Sequence, residues 1–390
     1  MTRTWSEQIE KRYALRLDAE LRSWFDQETW RHPLAGAFCC PLSPQQLLDP
    51  PPGTIWAGFM LPDTLPLIGN QQGDWLCLRV AADGRVAEII CWSHGGGDWI
   101  PYGRRLPEAL RYDAACRTAG GAPVSGSCRG PSIDGLLSAG CAEVAIRRDR
   151  ALTHLNSALK VHSDPDLARH MNVRWDPELV RWIFDTDLIP FGARENLAQL
   201  FDLPADQLLR QDWAAAEREA LRVIQVRQDL GWPLDLAGWA AERRGEWGPA
   251  VALYCRGVKT SLFSDETVRF RTHWFPEGYG KFAAARLGAL RAHLNSDLLH
   301  DPYLELFWQN DAPSLRDRLC RYWLGHARQH EACAQYMRAY QCFYRAGWDC
   351  GLSDLDGYAE ILDGLGTVAE AAGASALARV AGTHRRFLRA

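Results

Sequence analysis

Strand-type segments in this chain fall before Trp92 and nearly vanish beyond Gly140, so one sequence has to satisfy two kinds of architecture. Between them, from Ala114 to Gly140, Gly120, Gly121, Pro123, Gly126, Gly130, Pro131 and Gly135 interrupt any hydrophobic period. Such a run marks a domain boundary, because glycine and proline disfavour the interiors of helices and strands alike. At 390 residues the chain is also too long for one average core. The expected division is an α+β domain over residues 1–112, a Gly/Pro/Ser-rich linker over 113–140 and a mainly α-helical domain over 141–390.

In the first part, Ile9, Tyr13, Leu17 and Leu21 recur every four positions and lead to Trp24 and Phe25, with charged residues between them. That period predicts one amphipathic helix. Ser43 as a cap and Pro44 in the first turn predict a short helix through Leu48, ended by Asp49 and Pro50 to Pro52. Thr54 to Leu61, Trp75 to Val80 and Val86 to Trp92 are rich in Ile, Val, Leu and Trp and predict the strands of one meander. Asp83-Gly84 between the last two is a strong hairpin signal, and Pro107 to Arg111 predicts a closing helix.

Beyond Gly140 the apolar period is helical. Gln207 to Leu230 predicts a long helix ended by Gly231 and Pro233, followed by helices over Leu315 to Ala346, with a break near Gly325, and Tyr358 to Ala372. Gly238, Gly245, Ala250, Tyr254 and Gly257 stand at spacings that let two antiparallel helices approach while an aromatic ring fills the gap. The arrangement resembles a single tetratricopeptide unit. An ordinary helical hairpin accounts for the same residues, and no second copy stands about 34 residues away.

The segment from Leu65 to Leu78, Leu-Pro-Leu-Ile-Gly-Asn-Gln-Gln-Gly-Asp-Trp-Leu-Cys-Leu, resembles the central signature of the SUKH superfamily, in which a Pro-containing strand, a glycine turn and Gly-Asp precede a hydrophobic strand. Val86 to Trp92 with Ser93-His94, Leu106 to Leu110, and the Ile9 to Leu21 helix are similar to that family's next strand, final helix and opening helix. The resemblance covers about the first 112 residues. It implies a small α+β fold with flanking helices, whose bacterial members act as immunity proteins that bind and neutralise toxins and whose fungal members regulate cell-wall synthesis. Neither role requires catalysis.

On that footing the expected function is non-catalytic protein binding, with toxin neutralisation leading and an intracellular scaffold or regulator as the alternative. The residues expected at the partner surface are Asn70, Gly73, Asp74, Trp75, His94, Trp99 and Tyr102: the polar turn, and aromatics of the kind that anchor interfaces. A purely structural account also fits, in which Gly69 and Gly73 permit a tight turn, Asp74 caps it and most of the aromatics are core.

Other chemistries find weaker support. Gly126-Ser127-Cys128-Arg129-Gly130 resembles part of a caspase-type motif, and His94 lies upstream, so a cysteine hydrolase is a third reading; the cysteine nevertheless falls in the linker and not at the end of a buried strand. His326 and His330 stand one helical turn apart, but without a further ligand cluster they read as an exposed or hydrogen-bonded pair. Asp354 and Asp356 fit a helix start. Phosphate-loop and dinucleotide patterns are missing, so no cofactor or metal is expected. The twelve cysteines include no CxxC pair. With a net charge of -4 and both signs spread along the chain, no nucleic-acid partner is expected. A polar start and apolar runs well short of the about 20 residues a bilayer requires argue for a cytoplasmic protein without a membrane partner.

Overall fold

The computed structural model describes residues 3–92, 94, 99–118, 217–218, 221, 224–225, 232–259, 282–308, 315–350 and 354–388. An N-terminal five-stranded antiparallel sheet with helices is followed by a mainly helical C-terminal region built from paired helices.

Where the sequence predicts one opening helix there are two, α1 (Trp5–Tyr13) and α2 (Ala19–Asp26). Thr4 caps α1 in a capping box with Glu7, and the left-handed Ala14 ends it. The chain then runs extended, with the Arg16 N–H donating to the Gly84 carbonyl at 2.8 Å, before Asp18 caps α2. A four-residue apolar spacing thus spans a break, because local caps and a tertiary bond override the period. Helix α3 (Pro44–Leu48) carries the expected Ser43 cap.

The sheet is a meander of β1 (Cys40–Pro41), β2 (Thr64–Gly69), β3 (Trp75–Val80), β4 (Val86–Trp92) and β5 (Trp99–Gly103). Strands β3 and β4 stand where the sequence places them. The predicted strand at 54–61 is a run of turns, in which the Phe59 and Met60 N–H groups both donate to the Trp56 carbonyl, and the strand lies instead in the Pro-containing segment that follows. Strand β5 carries Trp99 and Tyr102, named in the sequence as aromatics but not as a strand. Helix α4 (Leu106–Thr118) begins at the expected closing helix and runs further.

The described helices continue with α5 (Trp232–Arg243), α6 (Trp247–Val258), α7 (Phe282–Ala289), α8 (Ser296–Leu299), α9 (Pro302–Trp308), α10 (Leu315–Ala332), α11 (Tyr336–Cys350), α12 (Leu355–Ala371) and α13 (Ser375–Phe387). The predicted break near Gly325 falls instead at Cys333 to Gln335, between α10 and α11. Asp354 caps α12, its carboxylate accepting from the Gly357 N–H at 2.9 Å. Most of the helix expected over 207–230, and the linker beyond Thr118, lie outside the described residues.

By compactness the chain groups differently from the division read in the sequence. One unit joins residues 1–34 and 38–110 with Glu305–Ala390, and the other holds 35–37 and Arg111–Leu304. Within the first unit the C-terminal helices close over the sheet. All six residues of β2 are buried, which a sheet with one wet face would not show. The Tyr344 hydroxyl of α11 donates to Asp63 at 3.3 Å, and the imidazole Nε2 of His384 on α13 donates to the Thr64 carbonyl at 2.8 Å. Beside them Arg79 joins Asp63 at 3.1 Å and Glu88 at 3.0 Å, its guanidinium 4.6 Å from the Trp99 ring.

In the second unit, α5 and α6 form the hairpin that resembles a tetratricopeptide unit. A β-carbon on Gly238 would stand 2.6 Å from the Tyr254 ring, and the Tyr254 hydroxyl donates to Glu242 at 2.9 Å. The turn of this hairpin recurs further along the chain. Gly245, Ala334 and Gly373 are each left-handed at the turn of a helix pair, and each turn makes the same two backbone bonds, such as Gly245 N–H to Glu242 and Glu246 N–H to Ala241. The middle copy escapes a glycine search because alanine holds its turn.

Candidate functional site

The turn between β2 and β3 is built by its own side chains. The Asn70 amide oxygen accepts from the N–H groups of Gln72 at 2.9 Å and Asp74 at 3.0 Å, and its NH₂ donates to the Asp74 carboxylate at 2.8 Å. The Asn70 N–H donates to the Asp74 carbonyl at 3.2 Å. This is an asparagine-closed turn of the kind that replaces backbone bonds by side-chain ones. Gly73 sits at φ +99, and a β-carbon there would lie 2.9 Å from the His94 ring, so neither the backbone nor the space admits a side chain.

Asp74 also reaches across to the segment after β4. One carboxylate oxygen accepts the His94 N–H at 3.0 Å and lies 3.0 Å from His94 Nδ1. Asn70, Gly73, Asp74 and His94 thus form one cluster. At its tip Gln71 and Gln72 point to solvent, and Gln71 donates to the Cys40 thiol at 3.2 Å.

The aromatics divide. Trp75 is half-buried and pairs across the strands with Gly69 and Trp92. Trp99 and Tyr102, expected at a partner surface, are 2% and 7% exposed: Trp99 lies under the Arg79 guanidinium and Tyr102 packs edge-on against Phe38. They are core residues, because each ring is covered by its neighbours. The exposed ring is Trp56, at 46%, in the turns before β2. Its indole N–H is fixed on the Gly53 carbonyl at 3.0 Å and its ring lies 6.4 Å from that of Trp92, the cross-strand partner of Trp75. Trp56 therefore shares one end of the sheet with the polar turn. Sequence reasoning placed Trp56 in a predicted strand and left it out of the residues expected at the partner surface.

Elsewhere, His330 is hydrogen-bonded to Gln335 at 2.9 Å, with the His326 ring 6.5 Å away. Among the described residues no group of three His, Cys, Asp or Glu could hold a metal ion, and no helix is long and apolar enough to cross a membrane. Cys77 is buried and its thiol is pushed well above its ordinary range by desolvation; Cys128 lies outside the described residues. Comparison with family models, with curated proteins and with solved structures finds no match to this chain.

Proposed function

We propose that this chain is a non-catalytic protein-binding protein that neutralises a toxin by tight association in the cytoplasm. The carrying observation is the end of the sheet where an internally satisfied polar turn, tipped by Gln71 and Gln72, stands beside the exposed Trp56. A turn that already holds its own bonds loses little conformational freedom when a partner lands on it, and a fixed indole is a suitable anchor. The resemblance of Leu65 to Leu78 to the SUKH signature supports the immunity reading over a general scaffold.

The test is co-expression of the full chain with toxin domains encoded beside it, reading cell survival and complex formation. One partner bound in fixed stoichiometry, with survival restored, is expected. Trp56→Ala should weaken that complex by about 2 kcal/mol or more, the usual cost of losing a central aromatic anchor. Binding to many unrelated proteins with no protection would favour the scaffold reading.

One observation favours the hydrolase reading: Asp74 holds His94 Nδ1, as a carboxylate orients a catalytic imidazole. If His94 activates Cys128, iodoacetamide should label Cys128 quickly at pH 6, and His94→Ala should slow the labelling. A Cys128 that reacts no faster than an ordinary thiol ends that reading.

A further inference from the structure

Away from the polar turn, a cavity of about 340 Å³ opens between the C-terminal end of α1 and the last turns of α13, lined by Arg12, Arg379, Gly382, Thr383 and Arg386. Its charges are all of one sign. Among the described residues no carboxylate pairs with any of the three arginines, whereas the adjacent Arg385 takes Asp363 at 3.0 Å. Three guanidiniums that line one opening, with no carboxylate paired to them among the described residues, repel one another and attract an anion, on a chain whose overall charge is -4.

The lining is also braced. Arg379 donates to the carbonyls of Lys11 and, at 3.2 Å, Arg12, which fixes it against the end of α1. Arg386 donates to the Thr383 hydroxyl at 3.3 Å, and that hydroxyl donates to the Arg379 carbonyl at 2.8 Å. The Arg12 guanidinium rests 5.9 Å from the centre of the buried Tyr13 ring. Gly382 leaves open space where a side chain would start.

We propose that this cavity binds a small phosphorylated molecule, its phosphoryl oxygens held by Arg12, Arg379 and Arg386. Planar guanidinium forks match phosphate oxygens in pairs, which ammonium groups do not. The volume falls within the range of small-molecule sites and exceeds what a bare phosphate fills.

The experiment is calorimetric titration of the full chain with pyrophosphate and with inorganic phosphate at fixed ionic strength, against acetate and chloride. Pyrophosphate should bind best, and acetate and chloride should give no saturable heat. Arg12→Gln with Arg386→Gln should weaken pyrophosphate binding on the order of a hundredfold, roughly tenfold for each charge-assisted hydrogen bond removed. Gly382→Phe should abolish it by filling the space. Both arginines are exposed and make no ion pair among the described residues, so the double variant should keep the wild-type circular dichroism. The Lys pair Arg12→Lys with Arg386→Lys, which keeps charge without the fork, should bind between the two. Wild-type affinity in the double-Gln variant, or equal heats with chloride, would overturn the proposal. So would attachment to phosphatidylinositol-phosphate vesicles with no binding of soluble pyrophosphate, which would make the surface a lipid contact.

Discussion

At the scale of single residues, the sheet carries charge in its interior. Arg79 neutralises Asp63 and Glu88 together, and Tyr344, its phenol pushed well above the ordinary value by burial and then by Asp63, adds a hydrogen bond to the same carboxylate. Arg79→Ala would leave two largely buried carboxylates without their cation, and a loss of about 3–5 kcal/mol in urea denaturation is expected. Tyr344→Phe should cost only about 1 kcal/mol, the ordinary net worth of one hydrogen bond. His384 makes a pH prediction. Burial pushes its imidazole down from 6.5 to about 4, opposed by the Thr64 carbonyl. Between those values the unfolded chain takes up a proton that the folded chain refuses, so the stability present above pH 6.5 falls as pH drops toward 4, by up to about 3 kcal/mol. Melting temperatures measured from pH 7 to pH 4 should therefore decline more steeply for the wild type than for His384→Asn.

At the scale of elements, the helix pairs rest on small residues that make room for rings. Gly238→Ala would drive a β-carbon to 2.6 Å from the Tyr254 ring, and the overpacking, about 1–3 kcal/mol, should exceed the better helix propensity of alanine. Gly248→Ala in α6, where the added carbon meets nothing within 4 Å, should be neutral or gain up to about 1 kcal/mol. Equal stability of the two variants by chemical denaturation would show that the Tyr254 interlock does not hold this pair together. The recurrence of the same turn at Ala334 was not legible in the sequence, since a left-handed alanine there depends on the bonds from the Ala334 and Gln335 N–H groups back to α10.

At the scale of the molecule, the N-terminal sheet and the C-terminal helices fold as one unit. Residues 1–118 alone would expose β2 and strand Asp63, Arg79 and Glu88 without Tyr344. That fragment should melt without a cooperative transition and bind hydrophobic dyes, and co-expression with residues 305–390 should restore cooperativity. A sharp two-state transition in the isolated fragment would show the sheet to be self-sufficient. The sequence by itself determined what local chemistry controls: the Ser43 and Asp354 caps, strands β3 and β4, the turn of Asn70, Gly73 and Asp74, and the Gly238–Tyr254 interlock. Each depends on residues near one another in the chain, whose hydrogen-bonding and steric preferences act before any tertiary structure forms. Only the tertiary structure decided that Trp99 and Tyr102 are core while Trp56 is exposed, and that Arg12 meets Arg379 and Arg386. Those outcomes turn on the packing of segments far apart in the chain, which no local period or propensity encodes.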